Sequence, residues 1–174
     1  HNMYAMSIIT ALTAQNTTGV YSVVELSTEF ISEQLDAVFT DIYPDSVKIG
    51  MLSNKEIICT VSKKLKQYNA KNIVLDPVMV STSRCKLISD DAIKYIKEYL
   101  FPISSVITPN IYEAEILSEM SIRTEEDMIK SARKISEIFK GAILIKGGHL
   151  ENSSNDLLYQ NGKIQWFKLK KIDK

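Results

Sequence analysis

Glycine is scarce in this chain: six among 174 residues, at Gly19, Gly50, Gly141, Gly147, Gly148 and Gly162. Neither GxGxxG nor GxxxxGK followed by Ser or Thr can be written with them, so the dinucleotide fingerprint and the P-loop are both excluded. Cysteine is scarcer still. Cys59 and Cys85 have neither CxxC spacing nor nearby histidines, which argues against structural zinc and a disulfide framework and leaves two ordinary thiols. An excess of charge is missing too: 21 Lys and Arg balance 21 Asp and Glu, so no global field recruits nucleic acid or an anionic membrane. No apolar run approaches the roughly 18 residues of a membrane span. The start, His1 to Ala5, lacks the charged and apolar segments of a signal peptide, and a cytoplasmic location is expected. What remains is ordinary for one globular domain with a sizeable core: 45% hydrophobic and 24% charged residues.

Apolar strands alternate with amphipathic helices. MSIITALTA (Met6 to Ala14) reads as a buried strand emptying into the polar loop Gln15 to Gly19. Tyr21 to Leu26 is a short strand, after which Ser27 or Thr28 caps a helix with Ile31, Leu35, Val38, Phe39 and Ile42 inward. Ser46 to Ile49 is a buried strand leaving at Gly50. Ser53 to Glu56 forms a capping box for a helix burying Ile57, Ile58, Val61 and Leu65. Asn72 to Leu75 ends at Asp76-Pro77, and the polar stretch Ser81 to Lys86 is a loop. Ser89 caps a helix running to Leu100, which Pro102 stops. A capped helix follows from Thr124 to Phe139, with Met128, Ala132, Ile135 and Ile138 inward, before the strand Ala142 to Ile145. Asn161-Gly162 turns a final hairpin. The pattern predicts an α/β domain whose mostly parallel sheet is covered on both faces, with ligands beyond the carboxyl ends of its strands.

The side chains at those ends carry the chemistry, each beside a plainer alternative. In Val106 to Glu115, VITPNIYEAE, Pro109 ends the strand and opens a helix at Asn110. Free N–H groups there favour phosphate, and the oxygens of Asn110 and Glu113 suit Mg²⁺; Asn-x-x-Glu is equally a capping box. Thr13 and Gln15 project from one side of a strand end, where the Gln15 amide matches the edge of a heteroaromatic ring or bonds its own loop. Met51 packs a flat ligand or the core. Asp76 meets a cation or closes an Asx turn. Lys146, before Gly147-Gly148, contacts phosphate or is solvated. His149 stays unassigned. Together these give an aromatic-substrate zone near Thr13, Gln15, Met51 and Val78, and a phosphate and metal zone near Asp76, Asn110, Glu113 and Lys146. Positioning and charge neutralisation of that kind are what phosphoryl transfer needs.

TALTAQNT (Thr10 to Thr17), QLDAVFTDI (Gln34 to Ile42), VKIGML (Val47 to Leu52), VLDPVMV (Val74 to Val80), ITPNIYEAE (Ile107 to Glu115) and KGGHL (Lys146 to Leu150) resemble, in order and over nearly the whole chain, the hydroxymethylpyrimidine/phosphomethylpyrimidine kinases of thiamine biosynthesis. The resemblance implies a three-layer α/β/α ribokinase-like fold with a mostly parallel central sheet. It also implies ATP and Mg²⁺ as cofactors, a homodimer, and phosphorylation of 4-amino-5-hydroxymethyl-2-methylpyrimidine and then of its monophosphate. Carried onto these residues, Gln15 pairs with the pyrimidine edge while Thr13, Met51 and Val78 line its pocket; the family often has valine at the Thr13 position. Asp76, Asn110 and Glu113 organise Mg²⁺ and phosphates, and Lys146 contacts the nucleotide phosphates.

Two family features are missing from residues 1–174: a GSDSGGGAG-type segment, expected before His1, and a GTGC anion hole with its catalytic cysteine, expected after Lys174. The expected unit is therefore a single kinase domain, 1–174, without those segments, and its catalytic residue is unknown. Neither Cys59 nor Cys85 has the glycine neighbours of an anion hole. The loop Ser81 to Lys86 departs from the family's AKSGD. Two rival readings are a pyridoxal kinase of the same fold and a non-catalytic pyrimidine-binding module.

Overall fold

The computed structural model describes residues 3–79, 90–148, 150 and 154–168. Short runs of branched apolar residues form the centre: β3 (Val47–Ile49), β4 (Ile73–Leu75), β5 (Val106–Ile107) and β6 (Ala142–Ile145) lie side by side in that order, all parallel. The hairpin β7 (Asp156–Gln160) and β8 (Lys163–Phe167) adds two antiparallel strands beyond β6. Its turn needs two residues at positive φ, and Asn161 (50°) and Gly162 (78°) supply them, as the Asn-Gly pair predicts.

Between the strands run α1 (Thr28–Asp41), α2 (Lys55–Gln67), α3 (Asp90–Tyr95), α4 (Ile111–Ser118) and α5 (Glu125–Ile138). Ser27 caps α1 by accepting from the Phe30 N–H at 3.2 Å. For α2 the cap is Asn54, which accepts from the Ile57 N–H at 2.9 Å, so the expected Ser53–Glu56 box does not form. Instead the Ser53 hydroxyl is buried without a hydrogen-bond partner among the described residues. The expected cap Ser89 and the loop Ser81 to Lys86 lie outside the described residues. After α3 the chain passes through a π turn (Ile96–Leu100) and a 3₁₀ turn (Phe101–Ile103) that contains Pro102. Ile42 and Ile138 are exposed rather than inward. In each case an aromatic ring takes the buried place: Phe39 stacks on Tyr68 at 4.9 Å, and Phe139 meets Phe101 edge-on at 5.1 Å.

Each parallel crossover advances in the same direction across the sheet, and right-handed crossovers of that kind put α2, α3 and the α4–α5 pair on one face. Burial follows: Ile49, Leu75, Ile107, Ile143, Ile145 and Leu157 are enclosed, while Val74, Val106, Leu144 and Leu158, on the other face, are half-buried. The expectation of a sheet covered on both faces therefore holds for one face among the described residues.

The stretch Met6 to Ala14 departs most from its expected form. Residues 11–16 form β1 (Ala11–Asn16), which pairs only with β2 (Gly19–Glu25) in a separate antiparallel hairpin. Leu12, Tyr21, Val23 and Val24 are exposed on it, because apolar residues are buried only where a second layer faces them. The hairpin's root is tied down. The Leu26 N–H donates to the Thr10 carbonyl at 3.0 Å, and the Gln34 amide clasps both backbone groups of Ile9.

Gly147 and Gly148 are adjacent but differ in what they permit. A Cβ on Gly147 would collide with the Asn155 carbonyl, whereas one on Gly148 meets nothing within 4 Å among the described residues. Gly147→Ala is expected to destabilise the fold by about 1–3 kcal/mol through overpacking, and Gly148→Ala to stay within about 0.5 kcal/mol of the parent. Chemical denaturation of both variants checks this; equal stabilities would contradict the close approach at Gly147.

Candidate active site

Strand β4 delivers Asp76 to the sheet's carboxyl edge, where its N–H donates to the Ile49 carbonyl at 2.8 Å. Pro77 has no N–H, and the Val78 N–H closes a tight turn onto the Asp76 carbonyl at 2.8 Å. Backbone groups thus make the turn, and the carboxylate is spent elsewhere. Its Oδ1 accepts from Lys146 Nζ at 2.8 Å, and its Oδ2 lies 3.4 Å from Lys48 Nζ. Burial opposes the charge on Asp76, but the Lys146 hydrogen bond and the charges of Lys146 and Lys48 outweigh it and hold the carboxyl below its ordinary range.

Lys146 follows β6, and its backbone N–H donates to the Pro109 carbonyl at 2.9 Å, extending the sheet by a bridge to Asn110. Asn110 caps α4 reciprocally with Glu113: its side-chain oxygen accepts from the Glu113 N–H at 3.0 Å, and Glu113 Oε2 accepts from the Asn110 N–H at 2.8 Å. The other carboxylate oxygen, Oε1, accepts from the Met79 N–H at 3.4 Å. Glu113 is only 1% exposed. Burial raises its pKa, against the Asn110 bond and the charge of Lys146. The capping box is thus real, and it fastens the turn after β4 to the start of α4.

Asp76, Asn110, Glu113 and Lys146, drawn from three separate segments of the chain, therefore form one connected group across the ends of β4, β5 and β6. Met51 and Val78 are half-buried at the same edge. Thr13 and Gln15 stand apart from the sheet: both are exposed on β1, opposite Val23 and Val20, rather than at the end of a buried strand. Among the described residues no hydrogen bond joins their side chains to the others. The hairpin nonetheless rises beside the site. Thr10 Oγ1 lies 3.4 Å from the Met51 carbonyl oxygen, and Asn54 donates to Glu25 at 2.8 Å. His149 and Cys85 lie outside the described residues, and Cys59 sits on α2.

As a place for Mg²⁺ the group fits in part. Asp76 and Asn110 have oxygen lone pairs to spare for a hydrated cation. The Glu113 carboxylate, enclosed and engaged on both oxygens by N–H groups, does not fit direct ligation. Among the described residues no three His, Cys, Asp or Glu side chains cluster as a metal cage. Two lysines stand here against two carboxylates, so the group is close to neutral and offers a polyphosphate little net positive charge. Sequence reasoning missed Lys48 and the Met79 N–H. The first left a signal, a lysine inside the apolar strand Val47–Ile49; the second, a backbone group, left none.

The family model for phosphomethylpyrimidine kinase matches residues 1–174. The chain belongs to this family. It is 41% identical over 171 residues to the Escherichia coli hydroxymethylpyrimidine/phosphomethylpyrimidine kinase, covering 97% of this chain and 64% of that protein. Against the Bacillus subtilis enzyme of the same name the figures are 41% over 160 residues, 91% and 59%. The chain thus spans about three fifths of these curated relatives. A crystal structure of phosphomethylpyrimidine kinase from Clostridium difficile superposes with a TM-score of 0.88 at 42% identity, covering 96% of this chain and 72% of that one. An ADP complex of Bacillus subtilis pyridoxal kinase gives 0.86 at 31% identity, with 99% and 66% covered. The fold is the ribokinase-like α/β fold with a mostly parallel central sheet, as the resemblance implied.

The depressed pKa of Asp76 has a fixed sign in stability. Its contribution is present above the unfolded-state pKa and is lost as pH falls through the lower folded value. Asp76→Asn is expected to flatten the acid limb of stability against pH, measured by urea unfolding from neutral pH downward. An acid limb identical to that of the parent would show that the Lys146 and Lys48 pairing does not stabilise the charged form.

Proposed function

We propose that this chain forms the larger part of an ATP-dependent kinase that phosphorylates 4-amino-5-hydroxymethyl-2-methylpyrimidine at its hydroxymethyl group, and then the resulting monophosphate, in thiamine biosynthesis. The observation that carries the reading is the connected Asp76–Lys146–Asn110–Glu113 group at the carboxyl edge of a family-typical sheet. The N-terminus of α4 and the Lys146 ammonium suit the nucleotide phosphates by charge. Asp76 and Asn110 would hold Mg²⁺ through water, and Glu113 would act indirectly by fixing Asn110 and the Met79 turn. When bound, the ion supplies positive charge to the phosphoryl oxygens, which a near-neutral residue group does not. Gln15 offers one donor and one acceptor to the pyrimidine edge, with Thr13, Met51 and Val78 as the walls of its pocket. ATP as phosphoryl donor fits a cytoplasmic location. A homodimer would cover apolar side chains such as Leu12 and Val24 on the exposed hairpin.

Pyridoxal kinase is the second reading, because fold similarity does not separate the two: the TM-scores are 0.88 and 0.86. Sequence favours the pyrimidine enzyme, 42% identity against 31%. Steady-state turnover of the full-length protein on both substrates decides, and faster phosphorylation of pyridoxal would overturn the pyrimidine reading. Pyrimidine binding without any turnover would leave a non-catalytic binding module. Gln15→Ala is expected to weaken pyrimidine binding by about 1–3 kcal/mol through a lost buried hydrogen bond. Unchanged affinity by calorimetry would remove Gln15 from the site.

A further inference from the structure

Lys48 sits in the middle of β3, in register with Val74, two residues before Asp76 on the neighbouring strand. Residues two apart in a strand share a face, so Lys48 approaches Asp76 along the half-buried face of the sheet. Its side chain is 68% exposed and reaches Oδ2 at 3.4 Å, while Lys146, 37% exposed, holds Oδ1 at 2.8 Å. The Asp76 side chain is itself only 17% exposed. Two cations thus share one half-buried carboxylate from opposite sides, one tightly and one loosely.

A lysine donating to a carboxylate has less to give to a phosphate. If Lys146 turns to a phosphate with nothing in its place, Asp76 is left half-buried and poorly paired, which is costly. Lys48 is already within ion-pair reach of the free oxygen, and its long solvated stem can close the remaining distance without burying a new charge. We propose that Lys48 is a positioning residue that takes over the Asp76 carboxylate as Lys146 engages a nucleotide phosphate. This rests on the kinase reading of the site and adds to it a residue with no contact of its own to the nucleotide.

Calorimetric titration of the full-length protein with ADP in excess EDTA isolates this exchange from any metal bound through Asp76. Lys48→Met is expected to weaken ADP binding about three- to fivefold, the range of a solvent-exposed charge pair, and Lys48→Arg to restore it. In an Asp76→Asn background Lys48→Met is expected to have no effect, because the carboxylate it serves is gone. Pyrimidine affinity should remain that of the parent in Lys48→Met. The same fold loss in both backgrounds would overturn the proposal and leave Lys48 as a long-range attractor of anions. Unchanged ADP affinity in Lys48→Met would make it a bystander. Failure of the unaltered protein to bind ADP either in EDTA or in excess Mg²⁺ would overturn the kinase reading along with it, and binding only with Mg²⁺ would overturn the exchange alone, because the ion rather than Lys146 would then hold the phosphates.

Discussion

The ion pair between Asp76 and Lys146 spans the end of β5 and links strands β4 and β6, which do not pair with each other. Much of the edge is arranged around it. The Lys146 backbone is held by the Pro109 carbonyl, and Asn110 is fixed beside it as the cap of α4. Glu113 completes that cap and reaches the Met79 N–H, which locks the turn that presents Asp76. A partly buried polar group of this kind is stable only when each member is partnered, and here the partners come from three different chain segments, 76–79, 109–113 and 146. The pairing serves two ends at once: it satisfies charges that the ends of buried strands would otherwise leave exposed to low dielectric, and it stores opposite charges where a phosphate and a cation would need them.

Near-neutrality of this group has a consequence for chemistry. On the proposed kinase reading, lysines already answered by carboxylates attract a polyphosphate only modestly, and further positive charge for phosphoryl transfer would arrive with the nucleotide.

Sequence made the strand ends legible and the hairpin illegible, for different reasons. Asp76-Pro77, Pro109-Asn110 and Lys146-Gly147 each follow a short apolar run and announce their position through local stereochemistry, so their convergence could be inferred from the α/β alternation alone. The capping residues of α1, α4 and α5 were equally readable. At α2 the cap moved one residue, from Ser53 to Asn54, because two adjacent residues could both serve and packing chose between them. MSIITALTA could not be read correctly from composition. Whether an apolar strand is buried depends on what faces it, and the β1–β2 hairpin has no facing layer among the described residues. Lys48 went unnoticed because its meaning lies in a carboxylate on the next strand, 28 positions along the chain.

On the kinase reading, nucleotide phosphates bind where Lys146, Asn110 and Asp76 meet at the sheet edge, with the pyrimidine between that edge and the β1–β2 hairpin. A crystal structure of the full-length protein with Mg²⁺, a non-hydrolysable ATP analogue and the hydroxymethylpyrimidine tests it most directly. Phosphate oxygens are expected within hydrogen-bonding distance of Lys146 Nζ and the start of α4, and the Gln15 amide against the pyrimidine ring. A nucleotide bound elsewhere, with the Asp76–Lys146 pair undisturbed, would contradict it.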